Sequence, residues 1–160
     1  MEKHTSNLGK LVGNLQSLEF ALRAFLLNDE ISSGGPFSQS ADLFDVDEDD
    51  IVPLNAFTDY DNLRGLIMRY NRHHKILSAH LEIDETLAGI RDAIAHGRVS
   101  GSSPLPPLKL LKFSKPDHNN DHVRVTFSAL MTEEWFGKQI RRVHDAILRV
   151  SEANKRLQDR

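Results

Sequence analysis

Cysteine is absent from the 160 residues. That excludes disulfides, thiolate metal sites and cysteine nucleophiles. Long apolar runs are missing as well. None approaches the ~18–20 residues that cross a bilayer, so no membrane segment is expected. The opening MEKHTSNLGK lacks the apolar core of a secretory signal, and the cytoplasm is the expected location. Aromatic residues make up only 7% of the chain. They form no aromatic-rich basic stretch of the kind that announces base stacking. An excess of one charge is lacking too: 20 Lys/Arg against 23 Asp/Glu leave a net −3, which is no polycation. The charge is nevertheless uneven. Residues 1–57 hold 3 Lys/Arg against 10 Asp/Glu, a balance of −7. Residues 58–160 hold 17 against 13, a balance of +4, so the later part can offer phosphate a positive surface.

What is present reads as one domain over 1–160, long enough to bury an ordinary core. Leu8, Leu11, Leu15, Leu18, Leu22 and Phe25 recur at steps of three and four, the single apolar stripe of an amphipathic helix. Ser6 or Asn7 suits its cap, and the pattern stops at Asn28. Thr58 looks like the cap of a second helix over about 59–79, with Asp59 and Asp61 at its positive end. Leu63, Ile67, Tyr70, His74 and Leu77 form its stripe. A third helix opens at Asp84 and Glu85 and carries Leu87, Ile90 and Ile94. Gly97 stands where a left-handed C-terminal residue is expected. Residues 108–114 and 122–128 read as the strands of a small hairpin, since Val123, Val125 and Phe127 alternate with polar neighbours. Thr132 starts the last helix, whose stripe is Phe136, Ile140, Val143, Ile147, Val150 and Leu157. The expected architecture is mainly α: a four-helix bundle with the hairpin inserted between helices three and four. A long loop at about 30–57, with six acids from Asp42 to Asp50, interrupts it and is either functional or mobile.

Metal chemistry finds no support in the pattern. Asp45, Asp47 and Asp49 resemble the opening of a calcium loop, but Asp50 stands where glycine is required and Ala56 where glutamate is required. His73, His74 and His80 lack a zinc spacing. No metal and no cofactor is expected.

The stretch IRDAIAHGRVSG, residues 90–101, is the most informative. Asp92 and His96 are four apart, so a helix places them on one face and the carboxylate can orient the imidazole. Arg91 and His96 are five apart, about 140° around an ideal helix. They converge within one chain only if the helix frays or turns at His96, which Gly97 permits. An alternative needs no site at all: His96 and Arg98 simply answer the negative C-terminal end of the helix. Arg69 and His74 repeat the same spacing, so spacing alone does not separate the two pairs.

Arg91–Asp92–Ala93–Ile94–Ala95–His96 resembles the signature of the HEPN superfamily of small helical-bundle proteins, an arginine, a polar residue, three more residues and a histidine at a helix end. The order of helices is also similar over most of the chain. The resemblance implies a metal-independent endoribonuclease that dimerises through the motif-bearing face. His96 would serve as general acid or base, Arg91 would stabilise charge on the phosphate and Asp92 would orient its neighbours. Histidine titrates near neutrality and arginine's fork suits phosphate oxygens, which fits those roles. The resemblance further implies a toxin or defence role with an antitoxin-like protein partner, or alternatively a non-catalytic nucleotide- or protein-binding module. Arg98, Arg69, Arg72 and His74 are the candidate RNA contacts, within basic runs along helix two (Arg64, Arg69, Arg72, Lys75) and helix four (Lys138, Arg141, Arg142, Arg149).

Overall fold

The apolar stripe beginning at Leu8 forms a longer helix than its pattern suggests. In a computed structural model that describes residues 2–34, 45–73, 79–101, 106–116 and 122–159, helix α1 runs Glu2–Ser32. Ser6 and Asn7 therefore lie inside it and do not cap it. Nothing after Asn28 breaks a helix until Gly34, which adopts φ +63, a left-handed value that glycine reaches without a Cβ penalty. The loop expected from residue 30 accordingly starts after Ser32.

The chain is mainly helical, with four α-helices and one three-stranded antiparallel sheet among the described residues. It divides into two compact units, one of Met1–Gln16 and Glu85–Asp145, the other of Ser17–Asp84 and Ala146–Arg160. Helices α1 and α4 (Glu133–Gln158) each contribute residues to both.

In the second unit, Leu18, Leu22, Phe25 and Leu26 of α1 are buried, as are Leu63, Leu66, Ile67 and Tyr70 of α2 (Leu63–Asn71). Phe25 meets Tyr70 edge to face, with ring centroids 5.0 Å apart, and Asn28 donates to Asn154 on α4 at 2.9 Å. Helix α2 starts later than expected. Its cap is Asn62, whose Oδ1 accepts the Gly65 N–H at 3.1 Å. Thr58 instead closes a turn, accepting from the Asn55 N–H at 2.9 Å and donating to the Pro53 carbonyl at 2.7 Å. Asp59 and Asp61 are engaged by arginines rather than by a helix end, and that is why the helix cannot begin on them. His74, Lys75 and Leu77 lie outside the described residues.

In the first unit, α3 (Thr86–His96) buries Leu87, Ala88, Ile90 and Ala93 and lies against the sheet. The hairpin is one strand richer than expected. β1 (Arg98–Ser100) pairs with β2 (Leu108–Phe113), which pairs with β3 (Val125–Met131), all antiparallel. β3 thus sits three residues later than the alternation predicts, and Val123 precedes it. β1 has too few residues to show a period of its own; it exists because the end of α3 delivers the chain to the edge of β2. Thr132 caps α4 as expected, accepting the Trp135 N–H at 3.0 Å. Along α4 the buried side chains are Phe136, Gln139, Val143, Ala146, Val150, Ala153 and Leu157, alternate steps of three and four. Ile140 and Ile147 flank that seam only half-buried.

Candidate functional site

The stripe that buries Leu87, Ile90 and Ala93 turns Arg91 and Ala95 outward on α3. Arg91 is exposed and makes no hydrogen bond or ion pair among the described residues. His96 closes the helix with 65% of its side chain exposed. The helix stays regular through His96, so the offset of about 140° between Arg91 and His96 holds and the two do not converge within one chain.

Asp92 has two neighbours. One carboxylate oxygen pairs with the Lys112 ammonium of β2. The other stands 3.9 Å from His96 Nε2, within reach of an ion pair once the imidazole is protonated, though too far for a hydrogen bond. The structure therefore brings together Asp92, His96 and Lys112 and leaves Arg91 open beside them. Lys112 was not among the expected site residues, yet it left a signal. It shares strand parity with Leu108 and Leu110, and Leu110 is buried. A cation on the covered parity of a strand needs a partner.

Gly97 is required, but not for the expected reason. Its φ of −79 and ψ of 178 are extended, not left-handed. Its N–H donates to the Ala93 carbonyl at 2.7 Å. A Cβ there would lie 2.2 Å from the Ala93 oxygen and 2.8 Å from the Leu111 oxygen. Close approach of α3 to β2 excludes a side chain, and this contact and the Asp92–Lys112 pair bind the motif to the sheet.

The candidate RNA contacts separate by environment. Arg98 is exposed on β1, its guanidinium carbon 5.8 Å from the centre of the Phe113 ring. Arg72 is exposed just past α2. Arg69 lies in the second unit within a cluster of carboxylates, 2.5 Å from Asp59, 2.8 Å from Asp61 and 3.3 Å from Glu30. Arg23 completes the cluster, with Asp59 at 2.9 Å and the Asp61 carbonyl at 2.7 Å. Burial disfavours the charge of Asp59, but hydrogen bonds from Arg69 and Arg23 outweigh it and hold the carboxyl below its ordinary range. Burial likewise works against Arg69, and the hydrogen bonds of Asp61 and Asp59 reverse that and raise its pKa. Its charge is neutralised internally, which weighs against a phosphate contact there. His74, its partner in the repeated spacing, falls outside the described residues. On α4, Arg142 donates to Gln139 at 2.6 Å and to Thr86 at 2.5 Å, and Arg149 donates to the Glu82 carbonyl at 2.8 Å. Both are structural ties.

No group of three or more histidine or acidic side chains among the described residues is arranged to hold a metal ion. A cavity of about 760 Å³ does occur in the first unit, lined by His4, Pro106, Pro107, Met131 and Phe136 among others. It includes no residue of the Arg91–His96 motif. No helix among the described residues is long and apolar enough to cross a membrane. The chain matches no family model, no curated protein and no solved structure.

Proposed function

We propose that the protein is a metal-independent endoribonuclease of the HEPN type, active as a homodimer. The observation that carries this reading is the condition of the motif. Arg91 and His96 are both exposed on α3, with no partner for Arg91 among the described residues and with Asp92 held between His96 and Lys112. A structural arginine would be bonded, as Arg69 is.

In this reaction one His96 removes the proton of a ribose 2′-hydroxyl. The oxygen attacks the adjacent phosphorus, and the bond to the 5′-oxygen breaks. A second, protonated His96 gives its proton to that leaving oxygen. Arg91 balances the charge on the non-bridging oxygens. The products are a 2′,3′-cyclic phosphate and a 5′-hydroxyl. One chain supplies a single histidine with its arginine turned away from it, and a two-fold pairing of motifs supplies both groups.

The test is incubation of the full chain with mixed RNA in EDTA, beside His96→Ala, Arg91→Ala and His74→Ala. Cleavage that survives EDTA and His74→Ala but disappears with either motif variant is the expected result. A second reading is favoured by the uninterrupted helix through His96: a non-catalytic module that binds nucleotide or protein through the same exposed side chains. Absence of cleavage by the unaltered chain, with nucleotide or protein binding that Arg91→Ala and His96→Ala weaken, would select it.

A further inference from the structure

We infer that the outer face of the three-stranded sheet, joined through β1 to the helix end that carries His96, is a binding track for single-stranded RNA. The inference rests on the reading of RNA as the substrate and assigns the surface that holds it.

Strand register sorts the side chains. Leu110 is buried and Lys112 reaches α3, so their parity faces the helix. The opposite parity carries Arg98 opposite Leu111 and Ser128, Ser100 opposite Lys109 and Leu130, and Phe113 opposite Val125. Among the described residues much of this face is exposed: Val125 and Leu130 are 51% and 49% exposed, and Arg98 and Lys109 are exposed as well. Arg98 stacks over Phe113 on the diagonal of the register.

Charge points to the occupant. From Arg98 to Met131 the described residues include Arg98, Lys109, Lys112, Lys115 and Arg124 and no acid; the two acids of that span, Asp117 and Asp121, lie outside them. Lys112 is neutralised by Asp92. The remaining cations suit a polyanion. Exposed apolar side chains between them, with an aromatic ring under a guanidinium, suit unpaired bases, which stack without regard to sequence. A duplex hides its bases and gains only the charge. The face is also fixed to the motif. β1 begins two residues after His96, Gly97 presses α3 onto β2, and Lys112 ties β2 to Asp92.

The test measures binding of a fluorescent 20-nucleotide oligouridine and a duplex of the same length to the full chain in EDTA, over a range of salt. The variants are Arg98→Ala/Lys109→Ala, Phe113→Leu and Lys155→Ala, each checked for folding by circular dichroism. Lys155→Ala, which removes an exposed charge of α4 that belongs neither to the motif nor to the sheet, should bind the single strand as tightly as the unaltered chain. The double variant should bind about tenfold more weakly at physiological salt, with a salt dependence shallower by roughly 1.4, about 0.7 per lost phosphate contact. Phe113→Leu should weaken the single strand several-fold and the duplex little. Unchanged affinity in a folded double variant would overturn the inference. So would a duplex bound as tightly as the single strand. Self-association abolished by Leu130→Lys, with RNA affinity untouched, would also overturn it and make the face an interface between copies. Cleavage by the unaltered chain alongside an unaffected double variant would discard this track and keep the nuclease. Sheet-dependent binding without cleavage would keep the track and discard the nuclease.

Discussion

Arg69 and Arg91 each stand five residues before a histidine, and they live in opposite surroundings. Arg69 meets three carboxylates and shares two of those residues with Arg23. Arg91 meets none among the described residues. The first ties Asp59 and Asp61 to α2 and, through Glu30, to α1. The second is free to meet a ligand. A short pattern thus acquires meaning only from what the fold places around it. Asp92 shows the same point from the other side, since Lys112, 20 residues further on, determines which of its oxygens faces His96.

Substitutions in the two surroundings should have opposite consequences. His96→Ala or Arg91→Ala should reduce RNA cleavage by roughly 10²–10⁴-fold, the usual worth of an acid–base or charge-stabilising group, and leave thermal unfolding unchanged. Activity that persists in His96→Ala would sink the assignment. In the other cluster the pattern should invert. Arg23→Ala removes one of the two arginines from Asp59 and the side-chain donor of the Ala56, Asp59 and Asp61 carbonyls and should cost about 2–4 kcal/mol in urea unfolding without altering the cleavage chemistry. Arg23→Lys should recover little, because an ammonium cannot reproduce the fork. A stable Arg23→Ala would show that the cluster is solvated rather than structural.

Gly97→Ala sharpens the contrast at the point where motif and sheet meet. The Cβ overlaps two carbonyl oxygens, so a loss of about 1–3 kcal/mol is expected, together with reduced cleavage as the end of α3 shifts. A variant as stable and active as the parent would mean that this close approach is not required. The pH dependence separates two groups of the second unit. The folded pKa of Asp59 lies below its ordinary 3.8, so its contribution is present above that pH and is lost as the pH falls through the lowered value. Burial raises the Tyr70 phenol above its ordinary 10.0, so its contribution is present below pH 10 and is lost as the pH climbs beyond it. Asp59→Asn should flatten the acid limb of a stability–pH curve, and Tyr70→Phe the alkaline limb. The smallest effect is reserved for Lys112→Met. Its pair with a half-exposed Asp92 should be worth under about 1 kcal/mol, while cleavage should fall more than stability does.

Much of the helical framework was legible in the chain. Leu11, Leu15, Leu18, Leu22 and Phe25 are buried at the spacing that announced them, and Thr132 caps α4. The edges were less legible. Asp59 and Asp61 look like helix-start residues because a carboxylate suits a helix N-terminus, and nothing local reveals that Arg23, 36 residues earlier, takes Asp59. β1 was invisible because three residues cannot display a period. Ala146 and Ala153 carry too little apolar surface to stand out, yet they line the seam that the larger Ile140 and Ile147 only flank. Of the candidate site, the motif and its helix were readable, Lys112 was readable only in hindsight from strand parity, and the Arg98–Phe113 stack was not readable at all.

By itself the sequence determined the helix stripes, the lack of thiol chemistry and the presence of an arginine, an aspartate and a histidine at one helix end, because each follows from residue type and local spacing. Only the tertiary structure decided which charges are neutralised, which strand parity faces α3 and why residue 97 must be glycine. Those depend on groups far apart in the chain meeting at distances of a few ångströms, where electrostatic and steric energies change most steeply.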